Sequence, residues 1–200
     1  MGKIYETIYP ETTNTNYDHV VFLQNVPVNA GDHQDAQDLV NLKLCKLIER
    51  TFGESAFVAD SGNGVHLSSG RYKIDGDFVF DGLLFSFDEV AVTPHPLGAT
   101  DGYFYVQIEI ENILYTDDSN IALNDAVAGT YLETSERNRF KTSFIFSQTV
   151  LSDTAGTFGT TFYREVGTYV GSVFTASYNT GYSNAGFYAT YGSDLANLFT

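Results

Sequence analysis

The stretch "YFYVQIEIENILY", residues 103–115, decides the fold. Phe104, Val106, Ile108 and Ile110 fall on one side of an extended chain, and Tyr105, Gln107, Glu109 and Glu111 on the other. A period of two residues is that of a strand with one face in a core. A helix with the same composition would mix these two sets on every face.

Working outward, "FKTSFIFSQTVL" (140–151) reads as a partner strand. Upstream, "RYKI" (71–74), "DFVF" (77–80) and "LLFSFDEVAV" (83–92) read as three more. The Gly-containing pairs at 75–76 and 81–82, and "SSG" at 68–70, mark turns or bulges between them. "TPHPLGATDG" (93–102) is a proline- and glycine-rich loop. Residues 116–139 are too long for a hairpin turn and suit an Ω-like excursion. "HVVFLQ" (19–24) is a further short strand candidate.

One segment breaks the pattern. From Asn25 to Gly53 the chain predicts a long helix, capped by Asn29 and stopped by Gly53. Ala36, Val40, Leu44, Leu47, Ile48 and Phe52 form an apolar stripe at helical spacing. Leu42 and Cys45 lie beside it and widen the apolar arc. The stripe would pack on a small β-sheet, or helices of several copies would meet around an assembly axis. The expected fold is therefore mainly β with one long N-terminal helix (α+β). It would be built of small antiparallel sheets or a sandwich, with extended terminal arms.

Three regions are expected. Residues 1–18 form an arm lying on a neighbour or on the domain's own surface, and residues 19–153 form the helix and β-rich domain. Residues 154–200 form a Tyr/Gly-rich segment with one basic residue, Arg164, and few large aliphatics. This last segment reads as an assembly element ordered against another chain.

Ten basic residues against 25 acidic give a net charge of −15. Phosphate-backbone binding needs clustered Lys and Arg, and anionic membranes need the same, so neither nucleic acid nor membrane is an expected partner. No apolar run is long enough to span a bilayer, and the N-terminus "MGKIYETIYPETTN" carries no apolar signal region. The single Cys45 cannot form an internal disulfide and has no histidine near it in sequence to activate it.

Chemistry-bearing patterns are sparse. Asp117, Asp118, Asn124 and Asp125 share one loop where Ca²⁺ is conceivable, but their spacing is not that of an EF-hand. Glu109 and Glu111 share a strand face as a glycosidase pair could, and the polar side of an alternating strand is ordinarily solvated. The four histidines show no ligand spacing. Arg137, Arg139 and Lys141 alternate on one strand face and suit salt bridges to the acids of 117–125 or to an acidic neighbour. No enzyme, metal or cofactor is expected.

Three stretches together resemble the baseplate-attaching N-terminal domains of bacteriophage tail-fibre and baseplate proteins. They are "YDHVVFLQNVPVNAGDHQDAQDLV" (17–40), "GRYKIDGDFVFDGLLFSF" (70–87) and "DDSNIALNDAVAGTYLETSERNRFKTSFIFS" (117–147). In the third, Leu123, Asp125, Ala126, Gly129 and Arg139 stand at the family's positions. The resemblance implies a virion structural protein of the phage tail, assembled in the host cytoplasm and joined to other tail, baseplate or fibre proteins. It also implies a homo-oligomer, a trimer or hexameric ring. With no fibre shaft after residue 150, an adaptor or baseplate subunit is expected. Interface candidates are Leu42, Cys45, Arg137, Arg139, Phe174, Tyr178, Tyr182, Phe187, Tyr188 and Tyr191. The alternative is a carbohydrate-binding or receptor-binding β module whose tyrosines stack on sugars.

Overall fold

The computed structural model describes residues 3–9, 21, 23–24, 27, 30–52, 55–58, 64–96, 100–113, 124–125, 132–133, 137–156 and 159–178. Two helices come first, α1 (Ile4–Ile8) and α2 (Ala30–Phe52). The strands β1 (Ser55–Val58), β2 (Gly64–Ser68), β3 (Arg71–Phe80) and β4 (Leu83–Ala91) follow. After them come β5 (Gly102–Ile113), β6 (Asn124–Asp125), β7 (Leu132–Glu133), β8 (Arg137–Ser147), β9 (Thr154–Gly156), β10 (Gly159–Val170) and β11 (Val173–Ala176).

Among the described residues every pairing between these strands is antiparallel, and a lone bridge between Thr93 and Ile145 is parallel. In the first sheet β3 is central, with β4 along one edge and β1 and β2 sharing the other. The second runs β11-β10-β5-β8, with β9 paired to the start of β10. Their inner faces meet in one core. It joins Ile74, Phe78, Phe80, Phe85 and Phe87 of the first sheet to Phe104, Val106, Ile108, Phe144, Phe146, Phe162, Val166 and Tyr169 of the second. Tyr72 against Phe104, with ring centroids 5.1 Å apart, and Phe85 against Phe140, also 5.1 Å, cross between the sheets. Thr93 ties them at the edge, donating its N–H to the Phe144 carbonyl and accepting from the Phe146 N–H.

β5 places Phe104, Val106 and Ile108 in the core as their alternation predicts. Its other face is not uniformly solvated. Tyr105 is buried there, its hydroxyl accepting the Leu151 N–H, and burial pushes its pKa up. "RYKI" and "DFVF" are not two strands but one, β3, with a bulge between Ile74 and Gly76. The bulge absorbs the Asp75–Gly76 pair without ending the strand.

Asp81 and Gly82 form the two-residue β3–β4 turn, both at positive φ (50° and 78°), as an Asp-Gly hairpin requires. A Cβ on Gly82 would lie 2.2 Å from the Cys45 carbonyl oxygen of α2, so the helix backbone rests directly on this turn. Gly82→Ala is expected to cost about 1–2 kcal/mol from the left-handed backbone alone, plus displacement of α2. The Tm should fall by roughly 2–4 °C per kcal/mol in a chain of this size. An unchanged melt in scanning calorimetry would refute the close approach.

Three expectations are corrected. The N-terminal arm is not wholly irregular. Its residues 3–9 include α1, which inserts a fully buried Ile4 into the common core. A five-residue helix has no stability of its own. Burying the Ile4 side chain contributes roughly 1.5–3 kcal/mol, and the Lys3–Glu49 ion pair and the Tyr5 hydroxyl's bond to Glu49 tie the arm to α2. Next, Val21, Leu23 and Gln24 lie outside any strand, with both apolar side chains exposed.

The third correction concerns the boundary after Asp153. β10 lies between β5 and β11 inside the second sheet, so residues 154–178 belong to the same core as the preceding strands. A bulge between Glu165 and Gly167 resets its register. Phe162 and Arg164 then stand opposite Ile108 and Val106, and Gly167 and Tyr169 opposite Phe104 and Gly102, all toward the core.

Candidate functional site

α2 packs on the domain through one face and presents another to solvent. Cys45 is buried on the packed side, with Asp38, Leu42, Ile48, Glu49 and Phe52 half-buried around it. The predicted stripe divides. Ala36, Ile48 and Phe52 are half-buried, but Val40, Leu44 and Leu47 are 65%, 51% and 62% exposed. The helix therefore rests on the sheet through the Leu42–Cys45 side and turns its most aliphatic row outward. The predicted cap Asn29 and stop Gly53 lie outside the described residues.

Of the expected interface residues, Cys45 is used internally. Burial raises the pKa of its thiol and its backbone supports Gly82, so it is not part of a free face. Leu42 is half-buried beside it. Phe174 is also turned inward, with its ring over Gly167 where a Cβ would come within 2.2 Å, and against Phe104 at 5.4 Å. Tyr178 packs edge-on to Phe78 at 5.3 Å, and its hydroxyl accepts the Val65 N–H at 3.0 Å. Its raised pKa follows from burial, partly offset by that bond. As a half-buried wedge it is no open stacking platform for a sugar. Arg139 is exposed on β8 opposite Glu111, and Arg137 begins the strand with its side chain outside the described set. Tyr182, Phe187, Tyr188 and Tyr191 lie outside the described residues.

The acids are placed as follows. Glu109 faces Lys141 across the β5–β8 pair at 4.0 Å and accepts a hydrogen bond from the Gln107 side chain. The Lys141 charge meets Glu109; the side chains of the acids at 117–125, its expected salt-bridge partners, lie outside the described set. Among the described residues no group of three His, Cys, Asp or Glu side chains is placed to hold a metal ion, and no helix is long and apolar enough to cross a membrane.

Sequence reasoning missed an ionic clamp at the centre of the molecule. Arg164, 6% exposed, projects from β10 on the core-facing side. Its Nε and Nη2 donate to Asp81 Oδ2 at 2.9 and 2.5 Å. Nη1 donates to Asp153 Oδ1 and Oδ2 at 2.9 and 3.2 Å and to the Tyr163 carbonyl at 3.0 Å. Asp81 Oδ2 also accepts the Ile4 N–H at 3.2 Å. One guanidinium thus joins the β3–β4 turn, the 153 loop and, through Asp81, the N-terminal arm. Burying charged groups is costly unless they are paired and hydrogen-bonded in this way. The clamp fixes chain segments that lie far apart in sequence. Comparison with protein-family profiles, with curated proteins and with solved structures gave no match.

Proposed function

We propose that this chain is a virion structural protein of a tailed bacteriophage, a baseplate or tail-fibre adaptor subunit that works through protein–protein contacts. The observation that carries this reading is the outward row of α2. Three aliphatic side chains sit exposed on a helix anchored by its opposite face, and soluble proteins keep such contiguous apolar surface mainly for partners. The three stretches that resemble tail-protein attachment domains supply the virion context. Homo-oligomerisation to a trimer or hexameric ring is part of the proposal, because identical chains that associate ordinarily close by point-group symmetry.

The test is quantitative mass spectrometry of purified phage particles from a lysate in which the chain is made. It is expected at a fixed copy number, in multiples of three, relative to the major tail protein. Absence from washed particles overturns the virion reading.

A further inference from the structure

Residues 3–9 are held by contacts distant in sequence. Lys3 and the Tyr5 hydroxyl both meet Glu49 of α2, 46 and 44 positions away, and the Ile4 N–H meets Asp81, 77 positions away. Ile4 and Tyr5 are buried. Tyr9 is half-buried against α2, with its hydroxyl hydrogen-bonded to the Asn41 side chain. The socket for this plug is thus built by α2 and the β3–β4 turn. Twenty residues, 10–29, separate the plug from the start of α2 at Ala30.

We propose that the plug is exchanged between copies of this chain, residues 3–9 of one copy filling the socket of a second. Passed from each copy to the next, it is a heterologous contact of the kind that closes a ring. This names the contact that joins the homo-oligomer proposed above, and rests on that reading only for the presence of associated copies.

The chain has the reach. Twenty extended residues span up to roughly 66–72 Å, whereas a folded chain of this length has a radius of gyration of about 16–17 Å. Every contact named above is the same whether plug and socket belong to one chain or to two, so exchange loses none of them. That equivalence makes swapping an identical element a low-cost route to assembly. The five-residue α1 has no helical stability of its own to set against it.

Two further features favour the exchanged form. Val21 and Leu23, between the plug and α2, are 65% and 67% exposed. Where the connection crosses from one copy to another, these side chains lie at the boundary of two surfaces and gain cover from water. The second feature is charge. Chains of net charge −15 repel one another, so a contact between copies needs its charges matched. The plug brings Lys3 to Glu49 and buries Ile4, a contact that is balanced already.

The test is zero-length coupling. A carbodiimide condenses an amine and a carboxylate in direct contact to an amide, the reagent taking up the water, and so joins Lys3 Nζ to the Glu49 carboxylate. Two full-length variants, Lys3→Met and Glu49→Gln, are co-expressed. Neither can form the 3–49 amide within its own chain or with its own kind. Exchange is expected to give a covalent pair containing one chain of each variant on a denaturing gel, with the 3–49 amide identified by mass spectrometry of its peptides. The unsubstituted chain should form the same amide between copies, and each variant alone should lose it. A synthetic peptide of residues 1–10 in excess should compete the oligomer down to monomers in light scattering, and the same peptide with Ile4→Asp should not.

A 3–49 amide confined to single chains overturns the proposal, because each plug then fills only its own socket. An oligomer that persists in light scattering alongside that result leaves the virion reading standing. Absence of the amide from the unsubstituted chain, or an oligomer indifferent to the peptide, also overturns the exchange. A chain that forms the amide between copies yet is missing from washed particles loses the virion reading and keeps this one.

Discussion

A chain ending at Asp153 is expected not to fold. The cut removes β9, β10 and β11, strips the partner from β5 along its 102–108 edge, and takes Phe162, Val166 and Tyr169 out of the core. At roughly 1.5–3 kcal/mol for each fully buried large side chain, these three alone account for about 5–9 kcal/mol. The whole stability of a domain is about 5–15 kcal/mol. Asp81 would also be left without Arg164. The measurement is urea unfolding followed by near-UV circular dichroism. The short chain should show no cooperative transition and should bind a hydrophobic dye, whereas a chain ending at Tyr178 keeps every contact described above and should unfold cooperatively. A sigmoidal transition in the short chain would mean that β10 is an accessory strand.

The second large effect is at the clamp. Arg164→Met leaves two largely buried carboxylates, Asp81 and Asp153, without their cation. Removing one member of a buried ion pair costs about 3–5 kcal/mol, chiefly because the remaining charge is uncompensated. Asp81→Asn is the matching partner change, because Asn tolerates the positive φ of this turn position and its side-chain oxygen can still accept the Ile4 N–H. The double variant should be less destabilised than the sum of the singles, by about 0.5–3 kcal/mol. Strict additivity in urea midpoints would mean that Arg164 acts by packing against Phe162, whose ring lies 5.5 Å from the guanidinium carbon.

The sequence made some elements readable and hid others for physical reasons. β5 was legible because its inner face is uniformly apolar, and the β3–β4 turn because Asp-Gly admits two consecutive left-handed residues. α2 was legible as a helix, but not its orientation. The segment carries two apolar stripes, and hydrophobicity alone assigns the more aliphatic one, Val40–Leu44–Leu47, to the interior. The structure instead seats the helix on Cys45, where the bare backbone at Gly82 allows close approach. β10 was concealed because its core-facing positions hold Arg164 and Gly167 where an ordinary inner strand has aliphatics. The charge is neutralised by residues 83 and 11 positions away, and the missing side chain is replaced by the Phe174 ring. The alternation Phe162–Arg164–Val166 was the available signal. α1 is too short for any period to register, and its anchor Ile4 gains its meaning only from Asp81.

The reach of the Asp81–Arg164 clamp bears on how the protein is made. Its members span Ile4 to Arg164, so a nascent chain cannot close its core until β10 has left the ribosome. The segment from Ser147 to Val170 takes about 1–5 s at 5–20 residues per second. Over that interval β3, β4, β5 and β8 already display their phenylalanines with β5 still unpaired along one edge, an exposure that favours chaperone capture. Translation speed through 148–170 therefore sets how long the chain must be guarded.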